Sequence, residues 1–274
     1  MEFQVLGPVQ VRVGGEPIDL GDRKQRLVLA VLLLEPNRLI LLARLVDLLW
    51  PAGPPSSARR IVQAHLSRLR TTLSRHAPRP AAPTVTRRGP GYMLTCDPDS
   101  IDVYRFRLLV NKARDSDDGR NKVDLLRQAL ELWRGPALAD VASEEIREEL
   151  CRGLDEARLA AIEERFGAEL RLGRHGQLID ELTELVARYP FRQQFAAFLM
   201  LALYRAGRAA EALTVYARTR QRLDAELGLE PSADLQRMQV SILRADPSLA
   251  LRADPATALR SDPSLALRAG QPAG

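Results

Sequence analysis

The sequence predicts a mainly α chain: a small α+β domain over residues 1–95, an all-α domain over 100–246, and a repetitive tail over 247–274. Three changes of pattern carry this division. Residues 1–20 alternate apolar and polar positions with the two-residue period of strands, the period turns helical at Arg23, and from Asp102 the pattern is helical with almost no strand signal. The length of 274 residues exceeds one average domain and falls short of three. An apolar share of 46% and a charged share of 27% give enough material for packed cores.

In the first domain, Phe3, Val5, Val9, Val11 and Val13 keep the strand period around a Gly7-Pro8 break and a Gly14-Gly15 turn, and Ile18 and Leu20 continue it. Leu27, Val28, Val31, Leu32 and Leu34 then share one side of a helix over about 23–34, which Pro36-Asn37 ends. A second helix runs from Leu41 to Trp50, where Pro51 and Gly53 stop it; Trp50 closes its apolar stripe and is expected in the core. Ser56 or Ser57 can cap a third helix whose buried stripe is Val62, Leu66, Leu69 and Leu73. Its other faces carry Arg59, Arg60, Gln63, Ser67, Arg68 and Arg70. After a Pro-rich loop over 78–83, residues 84–94 read as two short strands around Gly89-Pro90-Gly91, with Arg87 and Arg88 on one limb.

Charge is distributed in a way that total composition hides. The net charge is +5, and 37 of the 40 basic residues are arginine, a bias that a GC-rich genome would produce whatever the function. Residues 1–95, however, hold 14 Lys+Arg against six Asp+Glu, net +8, leaving 26 against 29, net −3, for the rest. Between Asp47 and Asp97 there are eight arginines and no acid. Codon bias adds arginines everywhere and cannot empty one segment of carboxylates, whereas a surface facing phosphates excludes them.

Three helices and a β-hairpin, with an acid-free third helix and hairpin, describe a winged helix-turn-helix: the third helix enters the major groove and the hairpin reaches the adjacent backbone or minor groove. Gln63, Ser67 and Arg68 have the chemistry of base readers, arginine pairing with guanine O6 and N7 and glutamine with adenine. Arg60 and Arg70 suit phosphates. His65 is read as a satisfied helix-surface histidine rather than a contact, and Tyr92 as core of the wing. The runs Ala64-His65-Leu66-Ser67-Arg68-Leu69-Arg70-Thr71-Thr72-Leu73 and Thr86-Arg87-Arg88-Gly89-Pro90-Gly91-Tyr92 resemble the recognition helix and wing of OmpR-type winged helices, the DNA-binding output domains of two-component regulators. The resemblance implies a wing arginine in the minor groove, a position that Arg88 matches, while Arg87 replaces a commonly apolar residue.

The second domain reads as helices over about 102–115, 121–134, 143–172, 177–188, 191–206, 209–227 and 232–243. Gly173-Arg174 and Gly207-Arg208 follow apolar helices 34 residues apart, the tetratricopeptide period; a generic helical bundle is the other reading of two such turns. Glu144, Glu145, Glu148 and Glu149 make the start of the long helix acidic, which also suits its dipole. The runs Asp102-Val103-Tyr104-Arg105-Phe106, Ala129-Leu130-Glu131-Leu132-Trp133-Arg134-Gly135-Pro136 and Leu199-Met200-Leu201-Ala202-Leu203-Tyr204-Arg205-Ala206-Gly207-Arg208 resemble the bacterial transcriptional activator domain. Behind an OmpR-type winged helix, that domain resembles the Streptomyces antibiotic regulatory protein (SARP) family over about 1–246. The resemblance implies a cytoplasmic, nucleoid-associated activator of secondary-metabolite genes that binds direct repeats in promoter DNA near the −35 element, with a second protomer side by side. It implies recruitment of RNA polymerase holoenzyme through the principal sigma factor, the beta flap and the alpha C-terminal domain.

Other classes find less support. Only His65, His76 and His175 occur, with no H-E-x-x-H, no metal-spaced cysteines and no nucleophile elbow, so no enzyme, metal or cofactor is expected. No G-x-x-x-x-G-K-[ST] is present and no receiver domain precedes residue 1, so control in cis by ATP or a phosphoacceptor is not expected. The longest apolar run, residues 27–34, is too short to span a membrane, and no signal peptide is visible. A helical adaptor with a vestigial winged helix and a repressor on the same fold are the competing readings. The tail repeats an octad beginning at Arg244, Arg252 and Arg260; proline every eight residues forbids a continuous helix, and disorder with transient short helices is expected.

Overall fold

The alternating N-terminal residues form an antiparallel sheet of β1 (Glu2–Gln4), β2 (Gln10–Val13) and β3 (Glu16–Pro17), with Phe3 opposite Val11, in a computed structural model that describes residues 1–76 and 82–250. Helices α1 (Arg23–Leu34), α2 (Leu42–Leu49) and α3 (Ala58–His76) follow, the first capped by the Asp22 carboxylate, which accepts from the Gln25 N–H. The expected hairpin is there as β5 (Thr84–Arg88) and β6 (Gly91–Thr95), but the sheet has a third strand, β4 (Ile40–Leu41), paired with β6. Two residues are too few to show a strand period, and Leu41 reads equally well as the first turn of α2. Asn37, at φ 62°, ties this corner together: its N–H donates to Leu94, and its side chain bonds the backbone of Cys96 in both directions.

The chain divides into two compact units, Met1–Arg165 and Phe166–Gly274. The change of pattern at Asp102 therefore lies inside the first unit. The reason is visible in residues 5–9, where the strand period continues but the strands do not. Val5 and Leu6 donate their N–H groups to the Asp102 carboxylate at 2.9–3.0 Å, and Val9 donates to Asp140 at 2.8 Å. The carbonyls of Leu6 and Val5 accept from the N–H groups of Arg134 and Leu138 at 2.8 and 3.2 Å. Asp102 opens α4 (Asp102–Arg114), which pairs with α5 (Gly119–Glu131), and Trp133 beyond α5 meets Phe106 edge-on at 5.6 Å. Arg23 and Arg26 extend the junction from α1, to the Val141 carbonyl at 2.9 Å and to Asp140 at 3.2 Å. One continuous core runs from Phe3 through Leu32, Leu66 and Leu94 to Phe106, Leu126 and Leu138.

The buried carboxyl of Asp102 is pushed upward by desolvation, against the Val5 and Leu6 N–H groups and the Arg134 guanidinium, which pull it down. Replacing it leaves two buried N–H groups without an acceptor.

The second unit begins within the long helix α6 (Glu144–Arg171) and continues through a 3-10 turn, His175–Leu178, into α7 (Ile179–Arg188), α8 (Gln193–Arg205), α9 (Ala209–Leu227) and α10 (Ala233–Leu243). Phe166, Phe195, Met200, Leu203 and Leu223 are among its buried side chains. The 34-residue period is reproduced bond for bond. Gly173 donates to Leu170 and Arg174 to Glu169; Gly207 donates to Tyr204 and Arg208 to Leu203. Both glycines are left-handed, at φ 79° and 77°, the αL ending that lets one helix stop and its partner turn back. Of the tail, residues 247–250 are described and begin with a 3-10 turn, Pro247–Leu249; the later octads, like residues 77–81 of the Pro-rich loop, lie outside the described residues.

Helix α3 packs on α1 through an inward histidine. His65 is buried rather than on the helix surface, its Nδ1 3.4 Å from the Gln25 Oε1, while the Gln25 Nε2 donates to the Leu20 carbonyl at 2.8 Å. Burial lowers the His65 pKa from 6.5, with Arg68 and Lys24 acting in the same direction and Asp22 opposing them.

Two outcomes are expected, both readable by tryptophan fluorescence, since Trp50 and Trp133 are the only tryptophans and both lie in the first unit. Asp102→Ala should destabilise that unit by about 2–6 kcal/mol in urea unfolding, at roughly 1–3 kcal/mol for each orphaned buried group, whereas an unchanged midpoint would mean that the clasp on residues 5–9 is not what holds the sheet. Burial disfavours the charged form of His65 in the fold, so the side chain binds a proton more readily unfolded. Its contribution is therefore complete above about pH 6.5 and falls as the pH drops through that value towards the lowered folded one. His65→Gln should flatten the loss of stability in this window; an identical pH profile would refute the assignment.

Candidate nucleic-acid interface

Helix α3 buries the predicted stripe, Val62, Leu66, Leu69 and Leu73, together with Ala58 and His65. With one side fixed inward, the helix period directs the remaining positions outward. Arg59, Gln63 and Ser67 follow one line along the exposed face, and Arg60 and Arg68 follow its neighbour with Ala64 between them. All six predicted positions of α3, these five and Arg70, are exposed. Ala64 keeps the centre of that face low, so the flanking long side chains stand proud of it. Helix α3 starts as the Ser57 carbonyl accepts from the Ile61 N–H, and no acid occurs in its first turn.

Arg70 has a structural contact besides its exposed position: its Nε donates to the Val85 carbonyl on β5 at 2.8 Å. It thereby joins the recognition helix to the wing. Arg87 and Arg88 end β5 opposite Tyr92 and Gly91 of β6, exposed beside the Gly89-Pro90 tip, while Val85, Tyr92 and Leu94 point into the core. Gly91 is compulsory here, because a Cβ would overlap the Ile40 carbonyl of β4, the strand that the alternation of apolar residues does not reveal. The wing is thus held from both sides, by Arg70 and by β4.

Among the described residues Arg59, Arg60, Arg68, Arg70, Arg87 and Arg88 form no ion pair, whereas Arg26, Arg44, Arg114, Arg147, Arg208 and Arg220 all do. Acids are nevertheless nearer than the linear gap between Asp47 and Asp97 suggests. Asp19 and Asp22, from the loop before α1, share a polar cleft of about 400 Å³ with Ser67, Arg68 and Arg75. Arg68 therefore sits between an open face and a carboxylate-lined edge. Arg75, on the last turn of α3 and two residues beyond the run that resembles a recognition helix, is an exposed basic residue of the same cleft. Trp50 is only half-buried, with the Lys24 ammonium 3.9 Å above its ring, because α2 ends where its indole reaches the surface.

No cluster of metal-ligating side chains occurs among the described residues, and none of their helices is long and apolar enough to cross a membrane. The two cysteines are unpaired, and burial raises Cys96 to about 11 and Cys151 to about 12, leaving them protonated.

Comparison with known proteins agrees with this architecture. Residues 15–94 match the family model "Transcriptional regulatory protein, C terminal", and residues 101–243 match "Bacterial transcriptional activator domain". The regulatory protein DnrI of Streptomyces peucetius is 38% identical over 91% of this chain and 94% of its own length. The transcriptional regulator RedD of Streptomyces coelicolor is 40% identical over 91% of this chain and 72% of its own length. Among solved structures, Mycobacterium tuberculosis EmbR in complex with a low-affinity phosphopeptide superposes with a TM-score of 0.84 at 31% identity, covering 90% of this chain and 65% of that one. With an OmpR-type winged helix, a bacterial transcriptional activator domain and relatives of this similarity along nine-tenths of its length, the chain belongs to the Streptomyces antibiotic regulatory protein family of transcriptional regulators.

Proposed function

We propose that the protein activates secondary-metabolite biosynthesis genes by binding direct repeats in promoter DNA near the −35 element and recruiting RNA polymerase holoenzyme. The observation that carries this reading is the set of six exposed arginines on α3 and the wing, none of which forms an ion pair among the described residues. Gln63, Ser67 and Arg68 read base edges, Arg59, Arg60 and Arg70 hold phosphates, and Arg88 with Arg87 enters the minor groove beside the wing. Half-sites about one helical turn apart put successive recognition helices on one face of the duplex, so a second protomer binds head to tail beside the first. The helical repeat unit supplies the protein-facing surface, and the polymerase parts it meets are the principal sigma factor, the beta flap and the alpha C-terminal domain. Such work takes place in the cytoplasm at the nucleoid.

Phosphate and base contacts answer differently to mutation. Arg68→Ala should cost roughly 1–3 kcal/mol at a selected site and relax base preference there, while Arg60→Ala should weaken binding to all sequences and reduce the salt slope by about 1. Gel shifts on promoter DNA across a salt series measure both. No shift at low salt would favour a helical adaptor over a DNA-binding protein. In vitro transcription with purified holoenzyme fixes the sign of regulation: transcript should rise with added protein, and a fall would make it a repressor.

A further inference from the structure

The second unit carries an apolar groove of about 540 Å³ between α7 and α9, floored by Leu199 of α8 and walled by Val186, Pro190, Val215 and Ala225. The same helix α8 holds the start of the tail. Arg205 donates through Nη1 to the Leu170 carbonyl at 2.6 Å and through Nε to the Leu249 carbonyl at 2.8 Å. Leu249 belongs to the first octad, Arg244-Ala245-Asp246-Pro247-Ser248-Leu249-Ala250-Leu251, whose Asp246 carboxylate accepts from the Ser248 N–H and so closes a turn that half-buries Leu249. The backbone of one Asp-Pro-Ser-Leu segment is thus held on this unit by Arg205.

The three octads are unequal. The second reads Arg252-Ala253-Asp254-Pro255-Ala256-Thr257-Ala258-Leu259 and loses the turn leucine, whereas the third, Arg260-Ser261-Asp262-Pro263-Ser264-Leu265-Ala266-Leu267, restores Asp-Pro-Ser-Leu-Ala-Leu unchanged. We propose that the third octad docks its Leu265 and Leu267 into the groove between α7 and α9 of the same chain, with the second octad as the tether. Reach permits it. Leu199 and Arg205 are six residues apart on α8, about 9 Å at the helical rise, while the 15 residues from Ala250 to Leu265 span up to about 50 Å. Charge agrees as well: Arg218 at the groove forms no ion pair among the described residues, and Asp262 is the one acid of the octad. A tether this short gives an effective concentration in the millimolar range, so two leucines suffice where a free peptide would bind weakly.

The test uses the full chain with p-benzoylphenylalanine in place of Leu265 or, separately, of Thr257, irradiated and mapped by mass spectrometry. Crosslinks from position 265 should fall on residues 183–226 at monomer mass, at least fivefold more than from position 257. Ala187→Arg, at an exposed position on the groove, should remove most of them with an unchanged thermal melt. Should that variant melt early, the reciprocal arm decides: a crosslinker at position 187 should reach the third octad, and lose it in Leu265→Ser/Leu267→Ser. Crosslinks that are equal from both tail positions, lie elsewhere, or appear at dimer mass would each overturn docking in cis.

Discussion

Three backbone N–H groups without strand partners decide how the first unit is assembled. Past Gln4 the chain leaves its sheet, yet Val5, Leu6 and Val9 are buried, and a buried N–H must find an acceptor. Two carboxylates from far along the chain provide it, Asp102 and Asp140. The N-terminal sheet is consequently built into the helices that follow the winged helix, and α1 is drawn in with it by Arg23 and Arg26. A junction of this kind does not move like a linker. The orientation of α3, which packs on α1 through Gln25 and His65, is fixed against α4 and α5 by the same set of bonds.

Securing α3 from behind leaves its outer face unconstrained by stability. Four leucine and valine side chains, Ala58 and His65 bury one stripe, and Arg70 ties the helix to the wing. None of the remaining positions needs to contribute to packing. That is the condition under which a helix can collect like charges along its length: their mutual repulsion costs little in high dielectric and is screened by salt. The Lys24 ammonium over Trp50 keeps a further positive charge on the same domain.

Most helices were legible from their apolar period and from the residues that end them, Pro36, Pro190 and the left-handed glycines 173 and 207; the structure adds the caps Asp22, Asp118 and Ser232 at their starts. The candidate site was legible for the same reason of periodicity, since the apolar stripe of α3 fixes which residues face outward. What could not be read depends on contacts across long sequence separations. Strand β4 is two residues long and exists only because β6 lies beside it. Asp102 looks like an ordinary helix-start acid until residues 5 and 6 are brought to it, 97 and 96 positions away. His65, polar in sequence, turns inward because Gln25 from another helix meets it there. The acid-free interval from 48 to 96 is real along the chain, but folding returns Asp19 and Asp22 to its edge.

The arginine excess is best understood through the pairing of individual side chains. A genome biased towards arginine codons places arginines wherever a basic residue is tolerated, and on a helical surface these are readily neutralised by acids three or four residues away or on a neighbouring helix. Arg208 with Glu211, Arg222 with Glu226, Arg237 with Asp234 and Arg114 with Glu164 follow that pattern. Their exposed pairs add little stability, at a median of about 0–1 kcal/mol, and their effect on the outside field is to cancel. Arginines held without such acids act differently, since their charge stays available to a partner and each phosphate they neutralise releases counterions. The net charge of +5 therefore understates the field at α3 and its adjoining hairpin, where six arginines stand close together and form no ion pair among the described residues, while pairs such as Arg208 with Glu211 cancel.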